Sequence, residues 1–220
     1  MWEKRTLWEN AAHVPLIMRV PWMAASLGGK RTAALVELVD LYRTLCELLA
    51  VPLPSDDTHP VEGTSLVPLL QDPSGAGWGK RVALTQYPRC PRNLDPRMDW
   101  QHNSCIHTTE RTDFGWMGYS MMVDHTDGCA YRFTMWPRWN GSALAPIWSD
   151  VHAVELYNHS APLPTGVTSQ FDAFESVNLA NGGRPYWEPP RDGEAPPHAV
   201  LVAALTRTLK TSFGFAADAS

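Results

Sequence analysis

Nineteen prolines punctuate these 220 residues and restrict the chain to short regular elements joined by irregular connections. Proline has no amide hydrogen for a helix interior or a sheet ladder, so it settles at element edges and in loops. The run 14–20, with Pro15 near its start and Pro21 just after its end, reads as a buried strand. Leu16 and Ile17 are consecutive, so this strand expects cover on both faces and neighbours on both edges. Pro52 and Pro54 stop the longest periodic stretch, a helix over 34–49. There Leu35, Leu38, Val39, Tyr42, Leu45, Cys46 and Leu49 recur at helical spacing. Glu37, Asp40, Arg43 and Glu47 share the other face, spaced for Asp40–Arg43 and Arg43–Glu47 pairs.

Downstream, residues 63–70 suit one or two helical turns, ended by Asp72-Pro73. Residues 82–87 read as a strand. Residues 88–116 form a long polar loop of the kind that carries function. Segments 118–123 and 130–136 flank Asp127-Gly128 and read as an antiparallel hairpin, and 153–157 adds a short strand. After a proline- and glycine-rich connection over 161–197, residues 199–213 close as a helix. Leu201, Leu205 and Leu209 line one of its faces and Gly214 is its stop. This order predicts an incomplete α/β domain over 1–75, followed over 76–220 by a small α+β subdomain. The subdomain is built on an antiparallel sheet and a terminal helix.

A net charge of −5 leaves no basic footprint for nucleic acid. The most apolar stretch, 33–51, carries Glu37, Asp40, Arg43 and Glu47, so it is no membrane span. Met1 to Arg5 leads into no apolar core of the signal-peptide kind. The four cysteines form no CxxC pair and no zinc spacing. Cys46 falls within the helix pattern as a buried thiol, and spacing alone leaves open whether Cys90 and Cys105 pair. Two sequons, Asn140-Gly141-Ser142 and Asn158-His159-Ser160, are compatible with secretion, although so short a motif often arises by chance.

The first residues carry the most specific pattern: Trp2, Lys4, Trp8-Glu9, Ala11, then His13-Val14-Pro15-Leu16-Ile17. Further along come Val36-Glu37-Leu38-Val39-Asp40 with Thr44-Leu45, and Gly63-Thr64-Ser65-Leu66-Val67-Pro68-Leu69-Leu70 with Asp72-Pro73. Thr85-Gln86-Tyr87-Pro88-Arg89, Met117-Gly118-Tyr119-Ser120, Tyr131-Arg132-Phe133-Thr134 with Trp136, Glu155-Leu156-Tyr157 and Asn178-Leu179-Ala180 complete the set. Each piece is weak alone, but their order over residues 2–180 resembles the sulfatase family of the alkaline-phosphatase-like superfamily. The resemblance implies the tail of an alkaline-phosphatase-like α/β sandwich followed by the C-terminal subdomain. It also implies sulfate-ester hydrolysis on a sulfated sugar or glycosaminoglycan, calcium as the metal, and a lysosomal or secreted setting. The front half of such an enzyme, with most of its chemistry, is then expected to lie outside this sequence. Arg43 stands where the family's helix motif has a proline, and three departures bear on fine substrate specificity: Met122 replaces an arginine, Asp124 to Gly128 enlarge the hairpin turn, and a longer proline-rich insertion separates Tyr157 from Asn178.

Sulfate-ester hydrolysis builds negative charge on the sulfuryl and leaving oxygens, so it needs a nucleophile, a hard cation and fixed positive donors. The family's nucleophile is a formylglycine made from Cys-x-Pro-x-Arg, and none of Cys46, Cys90, Cys105 or Cys129 stands in that context. The family's calcium aspartates have no counterpart either, so no metal ligand is assigned in this chain. The resemblance gives Lys4 a contact with the sulfate; without that context it is an ordinary solvated lysine. His13, just ahead of the apolar run, is the second catalytic candidate, and a single histidine is more often structural. For substrate binding, Arg89 suits an acidic sugar carboxylate, while Trp100 and Trp116 flank the long loop and suit sugar faces. Two other classes fit the same residues: a non-catalytic module binding glycans or a partner, and a phosphoester or phosphonate hydrolase of the same superfamily.

Overall fold

The computed structural model describes residues 6–54, 60–89, 115–160, 175–182 and 198–216. The chain divides into two compact units, Pro15–Ala83 and the pair of segments Met1–Val14 and Leu84–Ser220. The architecture is mixed: a four-stranded antiparallel sheet and a few helices.

The sheet runs in simple sequence order, β1 (Val82–Arg89), β2 (Trp116–Asp124), β3 (Ala130–Asn140) and β4 (Ala145–Asn158). The hairpin expected around Asp127-Gly128 joins β2 to β3. Cys129 N–H donates to Asp127 Oδ1 at 2.9 Å, His125 N–H donates to the Cys129 carbonyl at 2.8 Å, and Gly128 takes φ +83°. That left-handed backbone is one glycine adopts without strain. β4 is far longer than the 153–157 expected, because it follows β3 past a register shift at Pro137 to pair Asn140 with Ala145.

Strand alternation gives the sheet two different faces. On one, Met121, Phe133 and Leu156 stand in register and are fully buried. The terminal helix, Ala199–Ser212, covers this face with Leu205 and Leu209, and ends at Gly214 as expected. Tyr119 on the same face meets Phe213 edge-on at 4.9 Å. On the other face Ser120, Thr134 and Glu155 stand in register, with Thr134 Oγ1 donating to Ser120 Oγ at 2.7 Å.

Residues 6–12 strap this second face and include a single helical turn, Glu9–Ala12. Buried Leu7 sits over Gly118, where a Cβ would lie 2.5 Å from Leu7 Cδ1 and 2.6 Å from the Trp136 ring. Glycine at 118 is thus required for the strap to close. Gly118→Ala is expected to lower stability by about 1–3 kcal/mol through overpacking. Urea denaturation followed by tryptophan fluorescence measures it, and an unchanged midpoint would mean that the strap is not seated there.

In the unit Pro15–Ala83, two expectations need correction. Residues 14–20 form neither helix nor strand, and Ile17 is 92% exposed. A two-sided strand is held by ladders on its edges, and among the described residues none pairs with this run. The helix expected over 34–49 begins only at Asp40 (Asp40–Leu48). Asp40 is responsible: its carboxylate accepts Glu37 N–H at 2.7 Å, which folds 37–40 as a turn. It also accepts Thr64 N–H at 2.7 Å and both oxygens meet Lys80 Nζ at 2.7 and 2.8 Å. Asp40 therefore pairs with Lys80 in place of Arg43, and Arg43 donates to the Val61 carbonyl at 2.9 Å. The buried positions of this helix are Asp40, Thr44 and Cys46, while Leu38, Tyr42, Leu45 and Leu49 are exposed. Thr44 Oγ1 donates to the Asp40 carbonyl and accepts Leu66 N–H, fastening the helix to the second one, Val67–Gln71. Among the described residues no helix is long and apolar enough to cross a membrane.

Candidate functional site

The strapped sheet face gathers the polar groups of the larger unit. Glu155, on β4, is a shared acceptor there. Trp136 Nε1 donates to its Oε1 at 2.9 Å, and Trp8 Nε1 and Tyr157 Oη donate to its Oε2, each at 3.3 Å. Burial, with the Glu155 charge beside it, pushes the Tyr157 phenol far above its ordinary pKa, so it stays a neutral donor. Arg89, at the end of β1, places its guanidinium 5.4 Å from the Trp136 ring centroid and 5.8 Å from that of Tyr87. Two aromatic faces thus hold a planar cation at the sheet edge.

Beside this lies a buried ion cluster. Arg132, only 3% exposed, pairs with Glu9 of the strap, and its Nε stands 2.7 Å from Glu175 Oε1. Glu9 N–H donates to Glu175 Oε2 at 2.7 Å, and His159 Nε2 lies 3.1 Å from Glu175 Oε1. Burial alone raises the Glu9 carboxyl, but the Arg132 charge and hydrogen bond, together with the charges of His159 and His13, outweigh it, and its pKa falls below the ordinary carboxylate value. Glu9, His159 and Glu175 lie close enough to share a cation. The Arg132 guanidinium already neutralises these carboxylates, and a hard cation such as calcium prefers oxygen ligands without a neighbouring fixed charge. The residues described do not fit a calcium ion.

Of the residues singled out in the sequence, Lys4 and Trp100 lie outside the described residues, as do Cys90 and Cys105. His13 is exposed, with Nδ1 2.7 Å from Glu9 Oε1, so it is tied to the ion cluster. Trp116 opens β2 with its ring 4.9 Å from that of His152. Arg89 and Trp116 are neighbours across the edge, since Gly115 N–H donates to the Arg89 carbonyl at 2.9 Å. Arg132, Glu155, Glu9 and Glu175 were not identified as site residues from sequence. The signal was present for two of them: Arg132 and Glu155 are charges set among apolar neighbours at inward positions of β3 and β4, whose other charges, Arg138 and Asp150, are exposed.

No family model matches the chain. Curated relatives do, and they define its class: the chain is a relative of the sulfatases over most of its own length. In particular it is 30% identical over 192 residues to iduronate 2-sulfatase of Homo sapiens, covering 71% of this chain and 32% of that protein. With arylsulfatase K of Xenopus laevis it shares 34% identity over 176 residues, 79% of this chain and 27% of that protein. Rattus norvegicus arylsulfatase K is 32% identical over 100 residues, 43% of this chain and 16% of its own length. The chain thus spans about a third of the length of the iduronate 2-sulfatases it matches.

Proposed function

We propose that this chain is the C-terminal portion of a sulfatase that hydrolyses sulfate esters on a sulfated sugar or glycosaminoglycan, in a lysosomal or secreted setting. In this reading residues 1–75 end an alkaline-phosphatase-like α/β domain and 76–220 form the C-terminal subdomain. The similarity to iduronate 2-sulfatase carries the reading. The strap supports it: Trp8 and Glu9, anchored on Glu155 and Arg132, hold in place the segment that follows Trp2-x-Lys4.

Lys4 then contacts the sulfate and offsets charge at the ester oxygen as the bond breaks. Arg89, backed by Trp136 and Tyr87, presents a guanidinium edge to an acidic sugar. Trp116, and Trp100 in the long loop, offer faces for sugar stacking. His13 has a lesser part, as a histidine tied to Glu9 near the same segment. This sequence contains no Cys-x-Pro-x-Arg, and its described residues do not fit calcium, so the nucleophile and the calcium ligands come from residues outside it.

The chain alone is expected to show no calcium-dependent turnover of an aryl sulfate. In a longer gene product that carries Cys-x-Pro-x-Arg, Lys4→Ala is expected to lower turnover roughly a hundred-fold or more. The melting point should barely move. Unchanged kinetics would return Lys4 to an ordinary surface lysine. A second reading, a non-catalytic module binding a glycan or a partner, draws on Arg89 and Trp116 standing together at the sheet edge. Sequencing upstream of Met1 separates the two: an in-frame Cys-x-Pro-x-Arg supports the enzyme, and a promoter directly upstream supports the module.

A further inference from the structure

The two sequons occupy opposite kinds of site. Asn140 is the exposed last residue of β3, and the turn to β4 begins directly after it. Its Oδ1 accepts Ser142 N–H at 3.1 Å and Ala143 N–H at 3.0 Å. The carboxamide nitrogen, the atom that carries an N-glycan, keeps no partner among the described residues. Ser142, Ala143 and Leu144 are exposed as well. A bulky solubilising group attached at such a loop tip displaces no packed side chain.

Asn158-His159-Ser160 is built into the fold at every position. Asn158 is half-buried and stands opposite Tyr131 in the β3–β4 ladder, with Oδ1 accepting Ser160 N–H at 2.8 Å. His159 N–H donates to the Ala130 carbonyl at 2.8 Å, and its ring lies against Glu175 in the ion cluster. Ser160 Oγ, the hydroxyl the sequon requires, accepts Ala130 N–H at 2.8 Å. A glycan on Asn158 would have to sit where the strand end, the cluster and the hairpin turn meet.

We propose that Asn140 is an N-glycan acceptor of this chain and that Asn158 is not. The inference rests on the lysosomal or secreted reading for its biological use, and the experiment is chosen to be independent of that reading. The chain is translated with an appended signal sequence in the presence of microsomes, then run on a denaturing gel with and without peptide N-glycosidase. One glycan is expected, seen as a single enzyme-sensitive mobility step. Asn140→Gln and Ser142→Ala should each abolish it, and Asn158→Gln should leave it unchanged. No shift, two shifts, or loss of the shift in Asn158→Gln would each overturn the proposal. Because the signal is supplied, failure here is distinct from failure of the sulfatase reading, which is tested by turnover.

Discussion

Asp40→Ala is expected to cost about 3–5 kcal/mol and to unfold the unit Pro15–Ala83 ahead of the rest. Asp40 is fully buried and has four polar contacts, two with Lys80 Nζ and one each with the amides of Glu37 and Thr64. Removing one partner of a buried charge pair is far more damaging than the pair's net contribution, because the other charge stays buried. Lys80, 13% exposed, would retain Glu37 at 2.6 Å, while two amide donors would lose their acceptor. Asp40→Asn keeps the shape and one acceptor oxygen, so it should lose less. Hydrogen exchange is the measurement: the amides of Thr64 and Leu66 should exchange faster, with those of β2 and β3 unchanged. Equal protection in wild type and Asp40→Ala would show that some other contact holds the unit.

Arg132→Met is expected to be similarly severe in the larger unit, about 3–5 kcal/mol, because it strands Glu9 and Glu175 in a buried place. The pH dependence gives a sharper test. In the wild type, the Glu9 pKa is lowered in the folded state. Its contribution is therefore full above the ordinary carboxylate value and is lost as pH falls through the depressed folded value. Without Arg132, burial, the largest single influence on this carboxyl, raises it against only the smaller opposing effects of His159 and His13. The folded state then binds the proton more tightly, and that contribution grows as pH falls towards the carboxylate range. Urea midpoints between pH 7 and pH 4 should slope in opposite directions for the two proteins. Parallel slopes would remove the Arg132–Glu9 pair from the account.

What was legible in the sequence were the elements whose partners are close in the chain. The β2–β3 hairpin follows from alternation on either side of Asp127-Gly128, and the terminal helix from Leu205, Leu209 and the Gly214 stop. The failures came where a distant polar group overrides local pattern. Periodicity predicts a helix from residue 34, but Asp40 spends its carboxylate on the turn before it and on Lys80, forty residues away. Of the apolar stripe only Cys46 is buried, while Leu38, Tyr42, Leu45 and Leu49 are exposed and the polar Asp40 and Thr44 pack inward. The run 14–20 looks like a strand because its residues favour one, but β structure depends on ladder partners that sequence pattern cannot supply. In the candidate site, Arg89 and Trp116 were legible as cation and aromatic near a long loop. The Arg132 cluster was not, because Glu9 and Glu175 stand 166 residues apart in the chain and meet only through the fold, around Arg132.

That strap also sets an order of events during synthesis. Leu7, Trp8 and Glu9 leave the ribosome well before their anchors: Arg132 lies 123 residues beyond Glu9, Glu155 147 residues beyond Trp8, and Glu175 166 residues beyond Glu9. At roughly 5–20 residues per second, the segment waits many seconds with an indole and a leucine uncovered. Contacts of such long separation close slowly, since loop entropy is lost before they form. The strapped face of the sheet is thus completed near the end of folding, and the waiting segment is a natural handle for a chaperone.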